Sequence, residues 1–280
     1  MVKPEITVVL NVYKRAEIFQ QQLLAIKNQT IQPIEVLVWE NGTERVPKEL
    51  RDDLTITRAG KNFGVWARFA YALNAKGEFI CVFDDDTIPG DRWLENCYKT
   101  MKKTPGLLGT RGVIFDSPYA YSMHRDVGVY EPNLVTQRVD IVGHSWFFKK
   151  LWLTQFWGAF ENRFPEDVAG EDIHFSYALQ KYLQLPTLVP PHPPTDLSWW
   201  GSNPELAREF GGGEEAISRS KDSLKRFERA LQHYRKLGFK TMSEEITQKR
   251  RYPNILYLVI RLFPRATHEF ARYLKLIRKR

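Results

Sequence analysis

Three consecutive carboxylates, Asp84, Asp85 and Asp86, follow directly on five apolar residues, Phe79 to Phe83. Adjacent carboxylates repel one another and raise each other's pKa unless a cation neutralises them. A divalent metal meets that need. Hard oxygen ligands suit Mg²⁺ or Mn²⁺, and alternate residues leaving a strand point to one side, so Asp84 and Asp86 can share one ion or its water shell. Such an ion also accepts phosphate oxygens. The other reading open to the triplet is an acidic turn before the next helix, with Asp86 or Thr87 as N-cap ahead of Pro89. A second acidic pair, Glu171-Asp172, follows Gly170 at the start of a predicted helix, where carboxylates suit the dipole.

The elements that must position these groups are legible around them. Residues 79–83, bounded by Gly77 and Pro89, read as a strand buried on both faces in the middle of a parallel sheet. In open α/β sheets the carboxyl ends of the strands face the ligand crevice, which puts the triplet where a site belongs. Residues 6–12 are the first strand, ending in Tyr13-Lys14-Arg15, and a helix over 16–28 leads to a second strand over 34–39, closed by Glu40-Asn41-Gly42-Thr43. That is one βαβ unit with a right-handed crossover. A short third strand over 54–58, a Gly-containing loop over 60–65 and a helix over 66–76 precede the acidic strand. After Pro89 a helix covers 91–103. Strands are then expected over 107–115, 119–123 and 138–142, with 139–150 a strand or bend that reaches a helix from about Leu151, another helix from Gly170, and a strand over 187–189 closed by a Pro-rich turn. Residues 198–201 and 211–213 read as a mobile segment, followed by helices over 214–236 and 252–280.

At 280 residues and 43% hydrophobic, the chain can bury a sizeable core. Cys81 inside the apolar strand and Cys97 on a helix form neither a disulfide framework nor a zinc site, which fits a reducing compartment. No apolar run approaches the roughly 20 residues of a membrane span, and no secretory h-region precedes the first strand, so the expected location is cytoplasmic. The net charge of +8 attracts anionic partners, but basic residues gather late, at Lys249-Arg250-Arg251 and from Lys275 to Arg280. That distribution argues for a local basic surface and against nucleic acid. The basic, apolar stretch over 252–280 either packs on the rest of the chain or makes a peripheral contact with an anionic membrane.

Asn41-Gly42-Thr43 after the second strand, Asn62-Phe63-Gly64 before a helix, the acidic triplet after a buried strand, Val142 to Phe148, and Gly170-Glu171-Asp172-Ile173 form an ordered series. The series resembles the glycosyltransferases of the GT-A fold. The first half is similar to family 2, and the last three motifs are similar to the exostosin-like transferases, over residues 5–200 together. The resemblance implies an α/β chain, a Rossmann-like, nucleotide-sugar-binding three-layer α/β/α sandwich with a mixed central sheet and a C-terminal helical extension. The implied catalytic domain spans 1–205, with a nucleotide-binding half over 1–103 and an acceptor half over 104–205. The extension over 206–280 packs on it.

The resemblance also implies roles. Asp84 and Asp86 bind the metal that bridges the diphosphate, and Asp85 contacts ribose or sugar. Glu40 accepts from a uracil N–H, or is a solvated turn residue. Tyr13 stacks on the base and Arg15 reaches phosphate, or both pack. Arg68 contacts phosphate or sugar, or is an ordinary helix arginine. Asp172 takes the acceptor proton if the reaction inverts the anomeric centre, with Glu171 holding acceptor or donor; if it retains, Asp172 steadies the sugar cation. His192 is a further metal ligand, or a surface histidine in its Pro-rich turn. His144 and Trp146 line the acceptor site, Trp199 and Trp200 stack on sugar or form a lid, with at least one of the two in the core, and Arg219 with Lys221 clamps the diphosphate or lies on a solvated helix face.

The implied activity is metal-dependent transfer of a sugar, xylose or an N-acetylhexosamine, from a UDP-sugar donor to a hydroxyl of a glycan or glycoprotein acceptor. Two alternatives stay open. A nucleotidyltransferase would want a Gly-rich, basic loop after the first strand, which residues 11–15 lack. A non-catalytic carbohydrate- or nucleotide-binding scaffold would keep the fold without turnover.

Overall fold

The β-branched run at the start of the chain forms β1 (Ile6–Val12), and α1 (Ala16–Lys27) crosses from it to β2 (Glu35–Glu40), burying Ile18, Phe19, Leu23 and Ile26. The computed structural model describes residues 3–165, 170–210 and 222–249. β2 lies parallel to β1, and β3 (Thr55–Arg58) lies parallel to β2. α2 is short, Ala67–Tyr71, with a 3₁₀ turn over Ala72–Asn74, where the sequence predicts a helix running to 76. The chain must turn there to enter beside β1. A Cβ on Gly77 would meet the Glu5 carbonyl at 2.7 Å, so only glycine fits the approach.

β4 (Phe79–Phe83) pairs in parallel with the other side of β1, Val8 opposite Cys81 and Leu10 opposite Phe83. All five of its residues are buried, as a strand with a continuous apolar run requires. α3 (Trp93–Lys103) follows, then β5 (Leu107–Phe115) and β6 (His124–Gly128), which form an antiparallel hairpin with Phe115 opposite His124. The expected strand over 119–123 is the turn of that hairpin. Asp116-Ser117-Pro118 starts the turn, and the Asp116 N–H donates to the Met123 carbonyl, so pairing resumes only at His124.

β7 (Gln137–Val139) and β8 (Ile141–Lys149) divide the strand expected over 138–142 at Asp140, and β8 occupies the stretch read as a strand or bend over 139–150. β8 is inserted antiparallel between β4 and β5, which makes the sheet mixed. α4 (Leu153–Gly158), α5 (Glu171–Leu183) and β9 (Thr187–Val189) come next, with α6 (Pro204–Phe210) and α7 (Ser223–Lys236) after them. Among the described residues the sheet order is β3-β2-β1-β4-β8-β5-β9-β7, with β6 on β5.

Alternation along β4 and β8 sends side chains to opposite faces. Phe147 stacks on Phe79, against which Tyr98 of α3 packs. Trp146 and Phe148 point the other way and meet Phe69 of α2, which also touches Phe156 of α4 and Phe175 of α5. Helices therefore cover both faces, giving the expected three-layer sandwich.

Two compact units are present, residues 1–242 and 243–280. α7 belongs to the first, packing Ala230, Leu231 and Tyr234 with Ile173, Tyr177 and Ala178 of α5. In the second unit the described residues, 243–249, continue α8 (Met242–Lys249). The basic stretch over 252–280 lies outside the described residues, as does the predicted helix start over 214–221. Among the described residues no helix is long and apolar enough to cross a membrane.

Candidate active site

Where β4 ends, the Asp84 N–H donates to the His144 carbonyl on β8 at 2.9 Å, and the Thr87 N–H turns back to the Asp84 carbonyl at 3.2 Å. Gln22 of α1, buried, donates from Nε2 to the Asp84 carbonyl at 2.7 Å and to the Thr87 carbonyl at 2.8 Å. The acidic triplet is thus a turn pinned from below by an amide. Sequence reading did not single out Gln22, although a signal existed: it is polar on the face of α1 that buries Ile18, Phe19, Leu23 and Ile26.

Two arginines hold the carboxylates. Arg15 Nη1 donates to Asp85 Oδ1 at 2.9 Å and to Asp86 Oδ2 at 3.0 Å. Arg68, buried in the first turn of α2, donates from Nη1 to Asp84 Oδ1 and from Nη2 to Glu171 Oε1, the latter at 2.7 Å. Its guanidinium lies 4.3 Å from the centre of the Trp146 ring, a stacked cation–π contact. Glu171 and Asp172 arrive on the first turn of α5, and Asp172 Oδ1 accepts the Ile173 N–H at 2.7 Å. Gly170 precedes them at φ +98°, where an added Cβ would sit 3.3 Å from Ala230 of α7. Only a glycine starts α5 this close to α7 without strain.

Four carboxylates, Asp84, Asp85, Asp86 and Glu171, therefore share two guanidiniums, with Asp172 next in the chain. Burial pushes the Asp84, Glu171 and Asp172 carboxyls above their ordinary range, against the pull of Arg68. Burial first, then the Asp86 charge, pushes Asp85 up to about 7, with Arg15 opposing. A cluster of hard oxygen donors with surplus negative charge is chemistry that fits a divalent cation. Because the triplet is a turn, it does not alternate as a strand would: Asp85 and Asp86 share Arg15, while Asp84 meets Arg68.

The rim carries residues under constraint. β8 has one extra residue against β5, since Gly109 lies opposite Trp146 while Arg111 lies opposite Gly143. At that bulge His144 adopts φ +64°, rare for a non-glycine, and its Nδ1 is buried without a hydrogen-bond partner among the described residues. Tyr121 was not foreseen from sequence. Its ring stacks on Phe227 of α7 with centroids 4.9 Å apart, and burial and the nearby Asp172 charge push its hydroxyl pKa well up. Arg111 donates to Asp126 at 3.0 Å beside it. Nothing local marks Tyr121, which comes from the turn read as a strand.

Other expected site residues sit elsewhere. Tyr13, half-buried, packs its ring where a side chain on Gly42 would be, 3.6 Å from that Cβ position. Glu40 is neither a solvated turn residue nor an open acceptor for a base. It is fully buried, its Oε1 accepts the Val46 N–H at 2.8 Å, its Oε2 accepts Arg58 Nε at 2.9 Å, and Arg45 and Arg51 lie 3.7 Å away. His192 is not on the surface, and its ring nitrogens are engaged. Nδ1 is bonded to the Pro190 carbonyl at 2.8 Å and Nε2 accepts the Gly201 N–H at 3.2 Å, while the ring packs on Trp93 and Trp200. Metal ligation would break one of those bonds, so the structure gives this histidine a core role. Among the described residues no group of three or more His, Cys, Asp or Glu side chains is arranged to hold a metal ion.

Trp199 and Trp200 form no mobile lid. Trp200 is buried with its indole N–H on the Pro193 carbonyl at 2.7 Å, Arg92 lies over Trp199 at 4.0 Å, and a Cβ on Gly201 would strike Thr110 and Trp93. Arg219 and Lys221, and Gly211 to Gly213, lie outside the described residues.

Residues 7–164, more than half the chain, match the family described as Glycosyl transferase family 2. No curated protein matches the sequence. Among solved structures the chain is similar to TarS 1–349 of S. aureus in complex with UDP, at 14% identity and TM-score 0.45, over 66% of this chain and 57% of that one. It is similar to a second structure of S. aureus TarS 1–349 at 14% identity and TM-score 0.47, over 82% of this chain and 70% of that one.

Proposed function

This chain belongs to glycosyl transferase family 2, and we propose that within it the chain is a metal-dependent enzyme that moves a sugar from a UDP-linked donor to a hydroxyl of a glycan acceptor. The observation that carries this reading is the joining of the Asp84-Asp85-Asp86 turn through Arg68 to Glu171, the chain neighbour of Asp172, at the carboxyl end of a central parallel strand. Such strand ends are where α/β folds bind nucleotides.

Asp84 and Asp86 would hold a Mn²⁺ or Mg²⁺ ion. When bound, that ion supplies Lewis-acid stabilisation of the charge that grows on a departing diphosphate. Arg15, at the end of β1, offers a guanidinium to the same phosphates. The acceptor oxygen bonds to the anomeric carbon as the bond from that carbon to the diphosphate oxygen breaks. The nucleoside diphosphate keeps the electron pair, and Asp172 takes the acceptor proton. Burial raises the Asp172 pKa, which makes its carboxylate a stronger base than a solvated one, and the Ile173 N–H orients it. Glu171, fixed by Arg68, positions acceptor or donor beside it.

A screen of nucleotide sugars, including UDP-xylose and UDP-N-acetylhexosamines, with and without Mn²⁺ tests the reading by thermal shift and by release of UDP. The expected result is stabilisation and slow hydrolysis that EDTA abolishes. A chain that neither gains stability from any UDP compound nor hydrolyses one would overturn it.

A further inference from the structure

At the carboxyl end of β2 the buried Glu40 carboxylate draws in three guanidiniums. Arg58 Nε lies 2.9 Å and Arg45 Nε 3.7 Å from Oε2, and Arg51 Nη2 lies 3.7 Å from Oε1. One carboxylate neutralises one of them. The three arginines make no other ion pair among the described residues, and the acids on the same segment, Glu44, Glu49, Asp52 and Asp53, form none with them. Two positive charges are therefore left over. Like charges gathered this closely repel, so a need to satisfy Glu40 does not account for three arginines.

Their hydrogen bonds are incomplete as well. Arg45 uses Nη1 on the carbonyls of Gly42 and Glu44, and Arg51 uses Nε and Nη2 on the Val46 carbonyl. Arg58 gives Nε to Glu40. Arg51 Nη1 and both terminal nitrogens of Arg58 donate to nothing among the described residues. These side chains can be reached from outside, since Arg51 is 28% and Arg58 54% exposed. Both line one open cavity of about 630 Å³, together with Leu54, Ile56 and Thr57. No acidic residue lines it, and it shares no wall residue with the carboxylate cluster.

We propose that this cavity binds the phosphate group of a phosphate ester, at a site separate from the carboxylate cluster. Guanidinium N–H groups meet phosphate oxygens in pairs, and a phosphate dianion takes up both of the charges that Glu40 leaves. A carboxylate ligand would neutralise only one, and a neutral sugar neither. Glu40, held underneath by the Val46 N–H, fixes Arg58 from behind and leaves its terminal nitrogens facing outward. Leu54 and Ile56 offer apolar surface to the carbon body of the ester.

The test is direct binding, whose outcome does not depend on any transfer activity. The full-length protein is titrated by calorimetry with phenyl phosphate in EDTA, which keeps divalent metal off the carboxylate cluster. The expected result is saturable binding that uridine, which carries no phosphate, does not displace. Arg51→Gln and Arg58→Gln should each weaken it roughly tenfold through loss of charge-assisted donors. Should Arg58→Gln fail to fold because Glu40 loses its partner, Arg58→Lys keeps the charge, loses the fork and should still weaken binding. Co-sedimentation with phosphatidylcholine vesicles carrying phosphatidic acid separates two sources of the phosphate. Sedimentation that Arg51→Gln and Arg58→Gln abolish assigns it to a lipid headgroup, and binding of phenyl phosphate alone assigns it to a soluble ester. Saturable binding of neither probe, binding indifferent to both arginines, or displacement by uridine would overturn the proposal.

Discussion

Arg68 and Glu171, 103 residues apart in sequence, are joined by a hydrogen-bonded ion pair of 2.7 Å whose members are both buried. The same guanidinium holds Asp84 at the tip of β4. One side chain thereby locks the end of the central strand to the start of α5.

Breaking that junction leaves buried carboxylates uncompensated. Arg68→Met should cost about 3–5 kcal/mol of stability, the range for removing one partner of a buried pair. Urea unfolding measures it. Adding Glu171→Gln should recover part of the loss, since one of the stranded charges is then gone; a double variant less stable than the single would contradict the role given to the pair.

The two acidic groups should separate by function. Asp86→Asn is expected to abolish Mn²⁺-dependent stabilisation by UDP. Asp172→Asn should spare that stabilisation and lower transfer by about 10²–10⁴-fold, as loss of a general base does. Titration by thermal shift and a UDP-release assay read the two effects, and the reverse pattern would exchange the roles.

Gln22 offers a test of positioning without touching the carboxylates. Gln22→Leu removes two hydrogen bonds; the Asp84 carbonyl keeps the Thr87 N–H, while the Thr87 carbonyl loses its Gln22 donor, at a cost of about 1–3 kcal/mol. KM for the donor is expected to rise more than kcat falls, because the turn that presents Asp84 and Asp86 loosens. Gln22→Glu, which cannot donate when ionised, should behave like the leucine variant.

Acid should withdraw the stability that the two buried histidines contribute at neutral pH. Burial depresses His174 and His192 to about 4 from an ordinary 6.5, partly offset by their bonds to the carbonyls of Phe156 and Pro190. Above about pH 6.5 both are neutral whether folded or unfolded. As pH falls from there toward 4 the unfolded chain takes up protons that the folded chain refuses, so stability is lost over that window, by up to about 3 kcal/mol per histidine. The raised carboxyls of Asp85, Glu171 and Asp172 act in the opposite sense over the same window, so the histidine contribution is read as the difference in urea midpoint between the parent and His192→Gln from pH 7.5 to 4.5. A difference that does not change with pH would contradict the assignment.

The sequence by itself determined β4, its acidic tip and the alternation of strands and helices around it. Those features are local: five successive apolar residues can be satisfied only by burial on both faces, and the triplet is attached to them covalently. Only the tertiary structure decided which charges meet. Glu40 reads as a turn residue, yet three arginines from the segments before and along β3 enclose it. His192 reads as surface in a run of prolines, yet Trp93, about a hundred residues earlier, and Trp200 close over it. Tyr121 reaches the neighbourhood of Asp172 because a hairpin turn folds onto α7. Hydrophobic periodicity is written in neighbouring residues, whereas the partner of a charged or polar side chain depends on distances set by packing between elements remote in the chain.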